Sequence, residues 1–346
     1  MTPPTLRRLL RAGALVGAVA LTLPACQGTR GAGGRAEADP NAPPARTGSM
    51  PTGAGVSGMT AHQIQERDQR FFRVDALVSQ WDAAQTDGRE SDALALAAKI
   101  ADETDADYAV FTMAARGEVT VAAQHLAVKA LGFSRNPQST AILVERLQSD
   151  DMPLVGNALI ALKLRSDPNT SLPPIVRLLR SNAKEARRYA PLAFANAVLA
   201  RERVGRTVET TIAREAMTGL VGLVQDRDPF VRLHAAKAMG ALRSPDGVDF
   251  LVLLLKDEHV KIRIAAAAGL ERIGDARAFP QVIALLDAVD ADQKPLVRDL
   301  LISYGERLTG KPMTDAEKAA LDTSPRAWDR WYAERDATPP PARAPR

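Results

Sequence analysis

The sequence predicts an all-α fold built from tandem pairs of helices, and three observations predict it. Aromatic residues make up only 4% of the chain, whereas β-sheets favour aromatic and β-branched side chains. Alanine and leucine, which are strong helix formers, recur throughout the sequence. Similar segments return at a constant step of 31 residues, which is typical of a repeat architecture rather than of unrelated helices.

The repeat is clearest in two pairs of segments. The segment that begins at Asn136 returns at Asp167, and the one that begins at Ser244 returns at Asp275. Apolar residues lie three positions apart in each copy, so they share one helical face. We expect the second residue of each apolar pair to be buried between paired helices. These residues are Leu147, Leu178, Leu255 and Leu286.

A second helix pattern lies between these segments. The run DPFVRLHAAKAMG at 228–240 begins with a capping Asp and a first-turn Pro, and residues 259–274 repeat it. Its motif, D-P-x-V-R-x-x-A-A-x-A-x-G, resembles the HEAT repeat in its short, PBS-lyase HEAT-like form. The resemblance covers about 119–310 and implies an armadillo-type α-solenoid of tandem helix-pair repeats.

The resemblance also implies contacts between neighbouring repeats. In this family, Asp and Arg at the places of Asp228 and Arg232 often bond from one repeat to the next. Gly156 stands where such an Arg would be. We therefore expect the ladder to be interrupted there.

One repeat is longer than the others and supplies our candidate binding residues. Leu178 and its equivalent Val224 lie 46 residues apart, 15 more than the regular step, and the extra residues fall near 199–213. Insertions in solenoids map to loops on one face, often the binding face. The alternative is a solvated helix extension whose glutamates balance its charge. On the first interpretation, the partner-binding residues are Arg201, Arg203 and Arg206.

The first 25 residues have the features of a secretory signal. Three arginines precede an uncharged run at 12–25, which is shorter than the roughly 20 residues that span a bilayer. The run ends in Leu23-Pro24-Ala25-Cys26, which resembles the bacterial lipobox. That resemblance implies a diacylglyceryl group on the Cys26 thiol, cleavage before Cys26 and, often, acylation of the new amine, so that the chain is a lipoprotein.

The residue after Cys26 bears on the location of the protein. Gln27 stands where, by the sorting rule for lipoproteins, an Asp would retain the protein in the inner membrane. We therefore expect a lipid-anchored protein of the cell envelope, at the outer membrane rather than the inner one, facing the periplasm or the exterior.

The domain organisation follows from these features. We predict a signal peptide at 1–25, a lipidated cysteine with a disordered linker at 26–59, and capping helices at 60–118. The repeats follow at 119–310, then a capping helix at 311–336 and a disordered tail at 337–346. The N-terminal cap places Phe72, Leu77 and Trp81 against the first repeat. Trp328, Trp331 and Tyr332 either seal the C-terminal end or form an aromatic platform for a ligand.

No catalytic motif is visible: the sequence lacks a P-loop, G-x-S-x-G and H-E-x-x-H. We predict no catalytic residue, no metal and no cofactor. The acidic run at 102–107 lacks the glycine and glutamate of a calcium loop, and we assign it to capping at a helix start.

Charge excludes a further class of partner. Loss of the three signal arginines lowers the formal charge from +4 to near neutrality, which is unlike a nucleic-acid binder. The sequence therefore predicts a non-enzymatic scaffold for an unknown protein or peptide partner. The alternative is a lyase-like or chromophore-handling enzyme related to the phycobilin lyases that give the repeat its name.

Overall fold

The computed structural model of the chain describes residues 60–336 except Glu118 and Asp322. In this part of the chain the regular structure is helical and no strand occurs, so the predicted fold class is confirmed. The predicted signal, Cys26, the linker and the C-terminal tail lie outside the described residues. The helices fall into two compact units, the first ending at Asn136 and the second beginning at Pro137.

The first unit contains four helices. They are α1 (Ala61–Thr86), α2 (Glu90–Ala106), α3 (Tyr108–Arg116) and α4 (Val121–Leu131). In its core the Phe71 ring stacks on Phe111, with ring centroids 4.6 Å apart. The prediction that Phe72 covers the core is wrong, because its side chain is 57% exposed. One residue turns a helix by about 100°, so Phe71 occupies the inward position instead.

The acidic run at 102–107 does not start a helix, so the capping interpretation is wrong. It forms the end of α2 and the residue before α3, and Asp107 makes no side-chain capping bond. Its carboxylates accept bonds from other segments. Asp105 accepts from the Ser134 hydroxyl at 2.5 Å, and Asp107 pairs with Arg70 at 2.7 Å. The run therefore ties α2 to α1 and to the end of α4.

The second unit stacks helix pairs. The first helices of the pairs, here called the first row, are α5 (Ser139–Arg146), α7 (Leu172–Leu178), α9 (Thr210–Val221), α11 (Val248–Leu254) and α13 (Phe279–Ala288). The second helices, here called the second row, are α6 (Met152–Arg165), α8 (Lys184–Arg203), α10 (Pro229–Leu242), α12 (Val260–Ile273) and α14 (Lys294–Thr309). Each second-row helix packs on its own first helix and on the next second-row helix. Short α15 (Asp315–Ala320) and α16 (Pro325–Asp336) follow.

Capping residues fix where the second-row helices begin. Asp228 accepts a hydrogen bond from the Phe230 amide at 2.9 Å, and Pro229 occupies the first turn, as predicted. Asp151 caps α6 in the same way, through the Leu154 amide at 3.1 Å. Each bond satisfies an amide that has no partner within its helix.

The register of the apolar positions is mostly as predicted. Leu147, Leu255 and Leu286 are buried between the rows. Leu178 is only half-buried, so that prediction is wrong, and Leu179 takes its place at 1% exposure. The Leu179 amide still bonds to the Ile175 carbonyl at 3.2 Å, so the last turn of α7 carries the next residue inward.

The C-terminal aromatic residues seal the end of the second unit. Trp328 is fully buried and Trp331 is 7% exposed, and both rings contact Phe279. The Tyr332 hydroxyl donates to the Ala276 carbonyl at 3.0 Å. Burial of both indoles supports the sealing role over the ligand platform.

Candidate partner-binding surface

The insertion lengthens a second-row helix and adds a short loop. Helix α8 has 20 residues, whereas α10 and α12 have 14 each. Residues 204–209 then connect α8 to α9. The extra residues therefore lengthen α8 at its C-terminal end and form the loop to α9.

Two of the three predicted binding arginines bond to the start of their own repeat, just before α7. Half-buried Arg201 donates to the Thr170 carbonyl at 2.8 Å, and Arg206 donates to Asn169 Oδ1 at 2.8 Å. Arg203 is exposed at the end of α8. Arg201 and Arg206 thus hydrogen-bond within the fold. Arg203 is the predicted binding arginine that is directed mainly at solvent.

The expected contacts between neighbouring repeats are present between α8 and the start of α10. Arg187 forms an ion pair with Asp226, and Arg188 forms one with Asp228, each with 3.1 Å between Nε and Oδ2. The Arg188 guanidinium also lies 5.0 Å from the centroid of the Phe230 ring. At Gly156 the ladder is interrupted as predicted, and α8 approaches α6 closely there.

The next rung repeats the Arg187–Asp226 arrangement, in which the acceptor is not the capping residue. Arg232 donates to Asp257 Oδ2 at 2.7 Å and to Oδ1 at 3.1 Å. Asp257 lies two residues before the capping position, which His259 occupies in this repeat. Burial alone raises the pKa of Asp257, but the bonds from Arg232 and the His259 amide hold it below its usual value. The rung therefore contains a partly buried, charge-assisted pair.

Asp257, Glu258 and His259 also form a cluster whose donor atoms lie within 4.8 Å of one another. The Arg232 guanidinium bonds to both carboxylates of this cluster, with 3.1 Å to Glu258 Oε1. A positive group already neutralises these carboxylates, so the geometry assigns the cluster to the ladder.

Three lysines of the second row stand apart from the ladder. Lys163 lies in the last turn of α6, Lys237 in the third turn of α10 and Lys261 in the first turn of α12. None of the ion pairs found among the described residues involves these three side chains. Desolvation lowers the pKa of Lys237, and repulsion from Lys163 and Lys261 lowers it further. We call Lys163, Lys237 and Lys261 the lysine cluster.

A buried histidine lies beside the lysine cluster without adding charge to it. His234 is 3% exposed, and its ring lies 4.3 Å from that of Phe230. Burial, followed by repulsion from Lys237 and Lys163, lowers the pKa of His234 to about 3. The imidazole is therefore neutral at pH 7.

The three helices that carry the lysine cluster, α6, α10 and α12, and helix α8 contain few acids. Helices α6 and α10 contain no Asp or Glu. Glu202 of α8 pairs with Arg243 and Arg272. Glu271 of α12 bonds to Arg307, which leaves Glu185, in the first turn of α8, as the remaining acid of these four helices. Sequence reasoning missed this cluster. Counting acidic and basic residues separately for the second helix of each pair would have revealed the shortage of acids there.

The face of α8 between the lysines offers a partly apolar stripe. Its residues follow helical spacing, and each is half-buried. They are Tyr189, Leu192, Asn196 and Leu199. A stripe of this kind beside unpaired positive charges is suited to contact with another macromolecule.

None of the described helices has the length and apolar content needed to cross a bilayer.

Comparisons with known proteins concern the repeats. No curated protein matches the chain in sequence. Residues 200–304 match the family model for HEAT repeats. Similar solved structures include a computationally designed armadillo repeat protein for modular peptide recognition, with 16% identity, 57% of this chain and 98% of that chain covered, and a TM-score of 0.43. An engineered protein has 20% identity, with 76% of this chain and 75% of that chain covered and a TM-score of 0.48. Residues 200–304 therefore carry HEAT repeats, and the helix pairs of the second unit are stacked as in an α-solenoid.

Proposed function

We propose that this protein is a lipid-anchored, non-enzymatic scaffold that binds a protein partner at the cell envelope through its second row. The observation that carries the proposal is the composition of that row. Most of its arginines are used in bonds within the protein, whereas the lysine cluster and the stripe on α8 are left available. Repeated helices present such a surface from equivalent positions, without a closed pocket.

The described titratable groups support binding rather than catalysis. A general base needs a pKa near the working pH and access to its substrate. His234 is buried and has a pKa of about 3, and His259 lies beside the Arg232–Asp257 pair. The Tyr304 hydroxyl donates to the Asp275 carbonyl, and burial raises its pKa. The settings of His234 and Tyr304 suit neither donation nor acceptance of a proton at a substrate.

The anchor in this proposal is the lipid on Cys26, at the outer membrane. A thiol-linked diacylglycerol with a further acyl chain gives stable attachment, since a single chain binds only marginally. In this proposal residues 26–59 act as a flexible linker, for which flexible-chain scaling gives a root-mean-square reach of roughly 30 Å. The scaffold is then held near the lipid surface with freedom to meet its partner.

Paired surface variants test the scaffold. Leu192→Arg with Asn196→Arg changes the stripe on α8, and Leu253→Arg changes an exposed leucine of the first row. Detergent-extracted full-length protein is immobilised, and the envelope proteins retained by each variant are compared. We expect the α8 variant to lose a partner that the wild type and Leu253→Arg both retain. Equal retention by all three would contradict binding through the second row.

A further inference from the structure

The lysine cluster is the least balanced group of charges on the second row. Arg187, Arg188 and Arg232 have carboxylate partners in the next repeat, but Lys163, Lys237 and Lys261 have no ion pair among the described residues. Like charges in one region raise the free energy of the unbound protein. An anionic group that binds between them relieves this repulsion.

Location gives the cluster a defined span. Its lysines lie at the C-terminal end of α6, in the middle of α10 and at the N-terminal end of α12, so the cluster runs diagonally across the row. Helix α8 lies between α6 and α10 and contributes its half-buried stripe to the same stretch. An occupant of this surface therefore meets separated positive charges with apolar contacts between them.

The chemistry of the cluster favours carboxylates over a nucleic-acid backbone. Arginine forks bind phosphates in two-point contacts, and most second-row arginines are already used within the protein. A nucleic-acid binder also needs a strong positive field, whereas the chain without its signal arginines is nearly neutral. A lysine ammonium on its flexible side chain can donate to carboxylates at varied positions.

We propose that the lysine cluster and the α8 stripe bind an extended acidic segment of the partner protein, one in which Asp or Glu residues alternate with apolar residues. This inference rests on the proposed function and adds the chemistry of its partner. The carboxylates bind Lys163, Lys237 and Lys261, and the apolar side chains lie on Leu192 and Leu199.

A matched pair of triple variants tests this proposal. The cluster variant is Lys163→Gln, Lys237→Gln and Lys261→Gln. The control variant is Lys99→Gln, Lys256→Gln and Lys311→Gln, which removes the same charge from exposed lysines elsewhere. The probe is a fluorescent peptide of alternating Glu and Leu residues, and its binding to full-length protein is measured by anisotropy at several salt concentrations.

We expect the cluster variant to bind the peptide roughly tenfold more weakly than wild type, since three partly exposed pairs together supply about that factor. The control variant should bind as wild type does, and added salt should weaken binding. The cluster variant should also be at least as stable as wild type, because the lysines repel one another. Loss of stability on removing the lysines would instead indicate a structural role and overturn the proposal.

Two further outcomes decide between alternatives. Tighter binding of a single-stranded oligonucleotide of equal charge, with the same dependence on the cluster, would overturn the acidic-peptide proposal. Equal peptide binding by both triple variants would also overturn it. In either case the proposed scaffold still stands if Leu192→Arg with Asn196→Arg abolishes partner capture. If that variant still captures the partner, the scaffold proposal and the acidic-segment proposal both fail.

Discussion

Gly240 of α10 and Gly269 of α12 meet backbone to backbone where these two second-row helices pack. A Cβ atom added to Gly240 would lie 2.6 Å from the Cα of Gly269. A Cβ added to Gly269 would instead meet the two terminal methyl groups of Leu251, at 3.0 and 3.2 Å. The two glycines therefore differ in what a methyl group must displace, although both lie in the interior of a helix.

This difference predicts unequal outcomes for two identical substitutions. Gly240→Ala should destabilise the fold by about 1–3 kcal/mol, because the backbone of α12 must move. Gly269→Ala should change the free energy of unfolding by less than about 1 kcal/mol, because Leu251 can rotate and alanine favours the helix. Urea denaturation of both variants measures this. Equal effects would contradict the close approach of the helices.

The Arg232–Asp257 pair predicts a stability contribution that depends on pH. Asp257→Asn should cost about 1.5–3 kcal/mol at pH 7, since it removes a charge-assisted bond in a partly buried site. The folded-state pKa of Asp257 lies below its unfolded value of about 3.9. The contribution is therefore present above about pH 4 and is lost as the pH falls through the lowered pKa.

Denaturation of wild type and Asp257→Asn from pH 7 to pH 2.5 checks this dependence. Asp299→Asn is the control, because Asp299 is 63% exposed and its ion pair, with the adjacent Arg298, is long at 3.8 Å. The difference between wild type and Asp257→Asn should shrink at the acid end. A difference that stays constant over the whole range would show that the carboxylate charge is not responsible.

His234 predicts the reverse kind of variant, one whose stability relative to wild type increases in acid. The unfolded chain protonates this histidine near pH 6.5, whereas burial and the nearby lysines lower its folded pKa to about 3. Below pH 6.5 the unfolded state therefore binds more protons, and wild type loses about 1.4 kcal/mol per pH unit from this group. His234→Leu should not show this loss.

Thermal denaturation of wild type and His234→Leu between pH 7 and pH 5 measures the effect. The stability difference should move in favour of the variant as the pH falls. His62→Gln, at a position that is 78% exposed, should follow wild type. Parallel curves for wild type and His234→Leu would mean that the imidazole is protonated in the folded protein.

The proposed anchor predicts a change of cell fraction. Cys26→Ser removes the thiol that would accept the lipid, so the variant should accumulate uncleaved or appear in the soluble fraction. Fractionation with mass spectrometry of the mature N-terminus checks this. A variant that is cleaved and still partitions with membranes would show that Cys26 does not carry the anchor.

The repeated pattern and its caps were predictable because they depend on local chemistry. Asp228 followed by Pro229 favours a helix start through local chemistry, and the 31-residue step predicts the helix pairs. Phe71 and Leu179 were missed because one residue changes which side chain faces inward, and this depends on packing against other helices.

The candidate site was predictable only in part, for the same reason. The sequence indicated arginines near the insertion but not that Arg201 bonds to the Thr170 carbonyl, 31 residues earlier. The lysine cluster combines residues from three helices that become neighbours only in the stacked repeats. The three lysines are visible in the sequence, whereas their closeness to one another depends on how the helices stack.

We propose that the second row, and not the first, contacts a partner in the cell. A photo-reactive amino acid placed at Asn196 on α8 and, separately, at the exposed Gln281 on α13 tests it most directly in the intact, anchored protein. Irradiation should give a discrete cross-linked product of constant mass from position 196 and none from position 281. A product from position 281 alone would contradict the account.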